Sequence, residues 1–424
     1  MRGSGSMGVV RSMPACVSAM SLSGARLFVR CDFNVPMTDD GQIRSRRRIE
    51  RVLPALRSYL ERGASLVVVS HMGRPQHLPS HKHPPKRMSR GDKKLSLRPV
   101  FDVVRKALAP YPCVFVKACI GDAVKAQAHR LEAGSVLMLE NVRFHEGEDV
   151  NGGDFVEALL ESSGATHYVH EAFSCAHRAH ASTYGVAKRL PAYAGVTFYE
   201  ELSALERFFS GDDVPRVAVV GGAKVSTKLA SLMNLVRRVD SMLIGGAMAH
   251  SFLVARGVRV YDSLYEEERL KDVQRVCDVA SQAGCQLVIP CDGRVLDKEG
   301  VCRYRLIEEL QEGDAIMDIG CKTLDMFRDH LDKAATVLWN GPLGAFERED
   351  FSHGTREIAD FLRAKTTSGH MRSVIGGGDT LAAVERDGDD ETMGFSYAST
   401  AGGAFLEWCE GKTLPGIEVL TGER

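Results

Sequence analysis

No apolar run in this chain approaches the roughly 20 residues that a membrane-spanning helix needs. The least charged stretch, Ser241–Ala255, has 15 residues and contains His250, so the sequence reads as that of a soluble protein. The 11 cysteines, scattered from Cys16 to Cys409, contain no C-x-x-C pair. That argues against a zinc site or a disulfide framework and for reduced thiols in a cytoplasmic protein. An excess of one charge is missing as well: 54 Lys+Arg stand against 55 Asp+Glu, and the resulting charge of −1 points to neither nucleic acid nor a membrane surface. G-x-x-x-x-G-K-[ST] does not occur, since Gly411-Lys412-Thr413 has Leu406 where the first glycine belongs, and no G-x-G-x-x-G fits. Walker-type, protein-kinase and dinucleotide chemistry are thereby disfavoured. Residues 1–20 make a poor secretory signal and are expected to be a disordered leader. Thr421-Gly-Glu-Arg424 matches no retention or lipidation signal.

What is present is an ordinary globular composition, 44% hydrophobic and 26% charged over 424 residues, enough for about two or three domains. β-branched runs alternate with helical periodicity. Strands are expected at Ala25–Cys31, Ser65–His71, Cys113–Ala118, Ser135–Asn141 and His167–Ala172 in the first half. The second half offers Arg216–Val220, Ser241–Ile244, Gln286–Pro290, Ala315–Ile319, Thr336–Trp339 and Arg372–Ile375. Ile49, Leu53, Leu56 and Leu60 share one face of a helix that stops at Gly63. Strand–helix alternation of this kind predicts an α/β protein of two doubly wound parallel sheets. The junction is expected at a helix over Tyr199–Phe209 and the loop Ser210–Pro215.

Ligands of open α/β sheets bind beyond the carboxyl ends of the strands, and the two halves differ there. The first half places cations and polar donors: Arg30-Cys-Asp32-Phe-Asn34, His71-Met-Gly-Arg74, Glu140-Asn-Val-Arg143 and His177-Arg178-Ala-His180. The second half places glycines: Gly221-Gly222, Gly245-Gly246, Gly320, Asn340-Gly341 and Gly376-Gly-Gly378-Asp379. Glycine admits close backbone approach, and a helix starting after it aims free N–H groups at phosphate. The first half suits a small polyanion and the second a nucleotide.

With the further motifs Leu139-Glu-Asn-Val-Arg-Phe-His145, Ala176-His-Arg-Ala-His-Ala-Ser182, Gly221-Gly-Ala-Lys-Val-Ser226, Trp339-Asn-Gly-Pro-Leu-Gly-Ala-Phe-Glu347 and Ile375-Gly-Gly-Gly-Asp-Thr380, the chain resembles the phosphoglycerate kinases from about residue 21 onward. The resemblance implies reversible phosphoryl transfer between 1,3-bisphosphoglycerate and ADP, giving 3-phosphoglycerate and MgATP, by a monomer of two Rossmann-like lobes. Residues 21–198 would form the 3-phosphoglycerate lobe, 199–213 a hinge helix and linker, and 214–405 the nucleotide lobe. The tail, 406–424, would return to the first lobe.

Carried across motif by motif, the resemblance implies that Asp32, Phe33 and Asn34 orient the glycerate. Arg48 would reach the transferring phosphoryl group, and His71, Met72, Gly73, Arg74, Arg143 and Arg178 would form the cradle for the distal phosphate. Lys224 and Lys228, expected on one helix face, would address the nucleotide phosphates, with Asn340 and Glu347 as further nucleotide contacts. Asp379 would anchor Mg²⁺-nucleotide, with Gly377, Gly378 and Thr380 near the phosphates. Arg48, Lys228, Gly378 and Gly402 are the expected catalytic positions.

Several positions depart from the family pattern. Ser45-Arg46 replace a commonly acidic pair, Thr227 a common Asp, and Ala247 and Ala401 usual glycines; His170-Glu171 and Ser174 replace Asn-Asp and Gly. A methyl at Ala247 or Ala401 is expected to hinder positive φ and to narrow the approach to phosphate. The basic segment from Arg74 to Lys94 has no aromatic residue for base stacking and no regular ligand spacing, so a solvated loop is expected. A dehydrogenase on the same sheet type and a non-catalytic binder are the rival readings.

Overall fold

The computed structural model describes residues 13–38, 40–75, 94–210, 213–386 and 392–422. The chain forms two compact units: one runs to Ser203 and is rejoined by the segment from Thr413, and the other comprises Ala204–Lys412. Helix Val196–Ser210 carries the chain from the first into the second.

The first unit is built on six parallel strands in the spatial order Cys113–Val116, Val136–Leu139, Ser65–Val69, Arg26–Arg30, His167–His170, Ala192–Ala194. Ser65–Val69 and Val136–Leu139 are buried along their whole length, as strands covered by helices on both faces must be. One cover is helix Arg47–Glu61, which buries Ile49, Leu56 and Leu60 and gives way to Gly63 at φ +85°. The winding reverses between Arg26–Arg30 and His167–His170, so a crevice opens beyond the ends of those two strands.

The second unit repeats the plan in the order Tyr397–Ser399, Arg372–Gly376, Thr336–Asn340, Arg216–Val220, Ser241–Ile244, Gln286–Val288. Its reversal lies between Thr336–Asn340 and Arg216–Val220. Ala315–Ile319, expected in a parallel sheet, instead pairs antiparallel with Asp292–Leu296, which pairs antiparallel with Cys302–Leu306 in a separate sheet of three strands. The hairpin of that sheet is closed by the turn after Leu296, where Asp297 Oδ1 accepts the N–H groups of Glu299 and Val301 at 3.0 and 2.8 Å. Two three-residue edge strands, Ala192–Ala194 and Tyr397–Ser399, gave no sequence signal.

Part of the segment expected to be a disordered leader belongs to the fold. Ala194 N–H donates to the Ala15 carbonyl at 2.9 Å, and Val17 is fully buried in the core of the first unit. Residues 1–12, like most of the basic segment between Arg74 and Lys94, lie outside the described residues. The return to the first unit begins at Thr413 rather than near Leu406, because helix Gly402–Cys409 packs within the second unit: Asn234 Nδ2 donates to the Cys409 carbonyl at 2.6 Å. Helix Pro415–Thr421 then docks on the first unit, where Gly416 N–H donates to the Ala176 carbonyl at 2.8 Å.

Candidate functional site

In the first unit the residues singled out from the sequence gather at the crevice. Arg48, in the first turn of its helix, donates from Nη1 to Asp32 Oδ2 and to the Asn34 carbonyl, both at 2.9 Å. Ser174 Oγ donates to the same Asp32 oxygen at 2.6 Å, and Asn34 N–H donates to Oδ1 at 3.1 Å. Asn34 Oδ1 accepts the Gly73 N–H at 2.8 Å, while Arg143 Nη1 donates to the Gly73 carbonyl at 2.8 Å. Asn141 ties the same loop down through Nδ2 to the Met72 carbonyl at 2.8 Å. Asp32, Asn34, Arg48, Gly73 and Arg143 therefore form one hydrogen-bonded rim. Arg178 stands in the segment that follows Ser174 and donates from Nε to His177 Nε2 at 3.1 Å.

Two residues expected to touch substrate turn their side chains away from the rim. Phe33 and Met72 are buried in the core, because alternation along an extended segment turns every second side chain inward. Arg74 is exposed.

Beneath the rim lies a charge that sequence reading flagged at a strand end without giving it a role. Arg30 is fully buried. It donates from Nε to Ser182 Oγ at 2.8 Å and from Nη2 to His71 Nδ1 at 3.0 Å. Ser182 Oγ donates onward to buried Glu148 at 2.6 Å. Burial raises the Glu148 pKa, and Arg30 is the first influence opposing it, as expected of a buried pair bridged by a hydroxyl. Burial, then the charges of Arg30, Arg143 and Arg48, hold His71 well below the usual histidine range. Asp32, His71 and Cys175 bring ligand atoms within 4.8 Å of one another. Arg30 donates to two of them, so a cation there would face a fixed guanidinium, and the place suits an anion.

In the second unit the glycines stand around the other reversal point. Lys228 Nζ donates to the carbonyls of Gly221, just past the strand Arg216–Val220, and of Asn340, which ends Thr336–Asn340, at 2.7 and 2.9 Å. Burial lowers its pKa to about 8, with Asp379 the leading opposing influence. Lys224 and Lys228 do not share a helix face. The helix begins at Leu229, Lys224 is exposed in the preceding loop, and Lys228 is the residue before the first turn. The i, i+4 argument presumed helix where the chain is still turning.

Asn340 Nδ2 donates to the Gly376 carbonyl at 2.7 Å, and Thr380 Oγ1 donates to that carbonyl at 2.8 Å while accepting the Gly341 N–H at 2.7 Å. Gly377 has φ +100°, and a Cβ there would lie 2.7 Å from Asn340 Nδ2, so glycine is required both by conformation and by space. Gly378, Asp379 and Thr380 open helix Gly378–Val384, Asp379 exposed and Thr380 buried. Gly402 begins helix Gly402–Cys409 at φ +28°. Ala247 and Ala401 sit at φ −62° and −86°, so neither needed the positive φ that the substitution of glycine had put in question.

A cleft of about 380 Å³ adjoins these groups, walled by Ala223, Ala247, Leu264, Met317 and Leu343, with Glu347 and Asp379 at its polar margin. Ala223 and Leu343 lie in motifs read from the sequence, but that they share one wall with Ala247, Leu264 and Met317, from five separate segments, shows only in the fold. The cleft has the mixed character of a nucleotide-base site: apolar faces with a few polar groups at the edge.

The phosphoglycerate kinase family model matches residues 17–412. A phosphoglycerate kinase of Sinorhizobium medicae is 44% identical over 408 residues, 95% of this chain and 97% of its own length. That of Xanthobacter flavus is 42% identical over 405 residues, again 95% of this chain and 97% of its own. Among solved structures, phosphoglycerate kinase from Coxiella burnetii superposes with a TM-score of 0.83 at 36% identity, covering 97% of this chain and 99% of that one. That from Pyrococcus horikoshii OT3 gives 0.74 at 28% identity, covering 96% and 98%. Two parallel six-stranded sheets, one edged with cations and the other with glycines and a lysine, together with a family match spanning nearly the whole length, mean that this chain belongs to the phosphoglycerate kinase family.

Proposed function

We propose that the chain catalyses, as a step of glycolysis, reversible phosphoryl transfer between 1,3-bisphosphoglycerate and ADP, giving 3-phosphoglycerate and ATP. The observation that carries this reading is the complementarity of the two reversal points, each furnished within its own unit. The rim of Asp32, Asn34, Arg48 and Arg143 over Arg30 and His71 binds a small phosphorylated acid. Lys228, Gly377, Gly378 and Thr380 beside the apolar cleft bind a nucleotide.

Phosphoryl transfer passes through a loose transition state whose charge lies on the equatorial oxygens, so positioning and cationic clamping do most of the work. Arg48 and Lys228 are the clamps, with the amide of Gly378 and the helix start at Gly402 as added donors. Asp32 and Asn34 orient the glycerate, and His71, Arg74, Arg143 and Arg178 take its distal phosphate. The acceptor in the ATP-consuming direction is a carboxylate, already ionised at neutral pH, so no general base is required. Glu347 and Asn340 address the nucleoside.

Asp379 suits Mg²⁺: its exposed carboxylate stands on the cleft margin, and Mg²⁺ is commonly held by one or two carboxylates together with substrate phosphates. When bound, the ion neutralises phosphate charge. Eleven free cysteines and the absence, among the described residues, of any helix long and apolar enough to cross a membrane support a cytoplasmic location. A monomer is expected from the family, and light scattering should then give a mass near 46.4 kDa. A coupled assay with MgATP and 3-phosphoglycerate tests the function; purified, folded protein that shows no turnover would refute it.

A further inference from the structure

The antiparallel sheet of the second unit brings two exposed cysteines to one place. Gly293 pairs with Ile319, and the next rung outward is the bond from Gly320 N–H to the Asp292 carbonyl at 3.2 Å. One residue further along the chain from Asp292 and from Gly320, just outside the two strands, stand Cys291 and Cys321. In antiparallel pairing, the positions flanking a hydrogen-bonded pair face each other with Cα atoms about 4.5 Å apart and side chains close. That lies within the roughly 4.4–6.8 Å that a disulfide spans. Gly320 keeps extended backbone, φ −91° and ψ −179°, up to Cys321, the first residue of helix Cys321–Asp332, so the register carries to that position.

The surroundings agree. Cys291 N–H donates to Thr323 Oγ1 at 3.1 Å and its Sγ lies 3.8 Å from the same hydroxyl, two residues beyond Cys321. The Tyr304 hydroxyl donates to Asp292, the residue next to Cys291, at 2.6 Å. Asp292 fixes the platform by accepting the N–H groups of Lys322 and Thr323, each at 2.8 Å. Both thiols are free and exposed. The pair also borders the cleft, whose lining includes Pro290, one residue before Cys291, and Ile319, two before Cys321.

We propose that Cys291 and Cys321 are a reversible dithiol–disulfide pair, oxidised by hydrogen peroxide, and that closing the disulfide reshapes the adjoining cleft. The second half rests on reading that cleft as the nucleotide site. In the first step a thiolate attacks one peroxide oxygen and the O–O bond breaks, leaving a sulfenic acid and, once the thiol proton is taken up, water. The second sulfur then attacks the sulfenic sulfur, the S–S bond forms, the S–O bond breaks and a second water leaves. Two electrons pass from the sulfurs to the peroxide, and a dithiol reductant returns them by exchange.

The full chain is treated with hydrogen peroxide, denatured, alkylated and digested for peptide mass spectrometry. A linked peptide joining Cys291 to Cys321, two hydrogens lighter than its separate parts and abolished by dithiothreitol, is the expected product. ADP titration of the same native sample should show affinity weakened on the order of fivefold or more, restored by dithiothreitol. Cys321→Ser should bind ADP like the untreated protein and ignore peroxide. Separate alkylation of both thiols after peroxide, or linkage of either to another cysteine such as Cys302, overturns the pair. Linkage with unchanged ADP affinity overturns the effect on the cleft. Untreated protein that binds no ADP overturns the nucleotide reading and the second half with it, while the linked peptide still decides the first.

Discussion

Arg30 donates from Nη2 to Nδ1 of His71 across 3.0 Å, both side chains closed off from solvent. A guanidinium only donates, so His71 Nδ1 must hold its lone pair and the ring proton must sit on Nε2. A histidine among several arginines is thereby kept neutral, a hydrogen-bond donor without a charge of its own.

This neutrality extends to six other histidines and gives stability a direction with pH. His71, His145, His170, His177, His180, His250 and His330 are all held below the ordinary value, burial being the first cause in each, and His145, His180 and His250 fall to about 4. Each takes up a proton on unfolding once the pH drops below about 6.5, so the stability they contribute is lost as pH falls through that value. Glu148, Glu171 and Asp318, the last raised to about 7, act the other way, because burial raises each above its unfolded value and the fold favours the protonated form. Between about pH 7 and pH 5 the three histidines held at about 4 outweigh Asp318, and His71 and His170, held well below the ordinary value, add to them. Calorimetry should show the thermal midpoint falling from about pH 7 to about pH 5, and a flat or rising midpoint would mean that several of these histidines are charged in the folded protein.

Arg48→Ala is expected to lower kcat by a factor on the order of 10²–10⁵, because a clamp on charge that develops during transfer acts on the transition state. Its contacts with Asp32 and the Asn34 carbonyl show how the guanidinium is held before substrate arrives. Steady-state kinetics decide: a raised KM with unchanged kcat would make Arg48 a docking cation only.

Lys228 has its pKa lowered to about 8 by burial, so in the free enzyme its charge fades above that pH. The expected consequence is a fall in kcat/KM for the nucleotide above about pH 8. kcat, which reports the complex, should hold to higher pH because phosphate anions favour the ammonium. Profiles measured to about pH 10 test this, and coincident limbs for the two parameters would show that no phosphate reaches Lys228.

Ala401 stands at φ −86°, ψ 14°, angles that alanine accepts readily. Ala401→Gly should therefore destabilise the protein by roughly 0.4–1 kcal/mol through the freedom it adds to the unfolded chain, with little change in kcat. A variant with a higher melting temperature and faster turnover would reveal strain that these angles do not show.

Local signals in the sequence determined the class of fold and the two halves, and they pointed to most residues of the candidate site. Strand–helix alternation is a short-range pattern, and Asp32, Asn34, Arg48, Arg143, Lys228 and Asp379 sit in motifs at strand ends or helix starts that can be recognised from neighbouring residues alone. Tertiary structure decided what depends on contacts between distant segments. It seated Arg30 beneath the rim on His71, Ser182 and Glu148, and it assembled the apolar cleft from separate loops. It drew Ala315–Ile319 into an antiparallel sheet and seated Val17, from the expected leader, in the core. It also placed Lys228 ahead of its helix, with Nζ on the Gly221 and Asn340 carbonyls. Periodicity records which residues are buried, but burial of a charge or the choice of sheet partner is settled by the hydrogen bonds that distant segments can supply, and those exist only once the chain has folded.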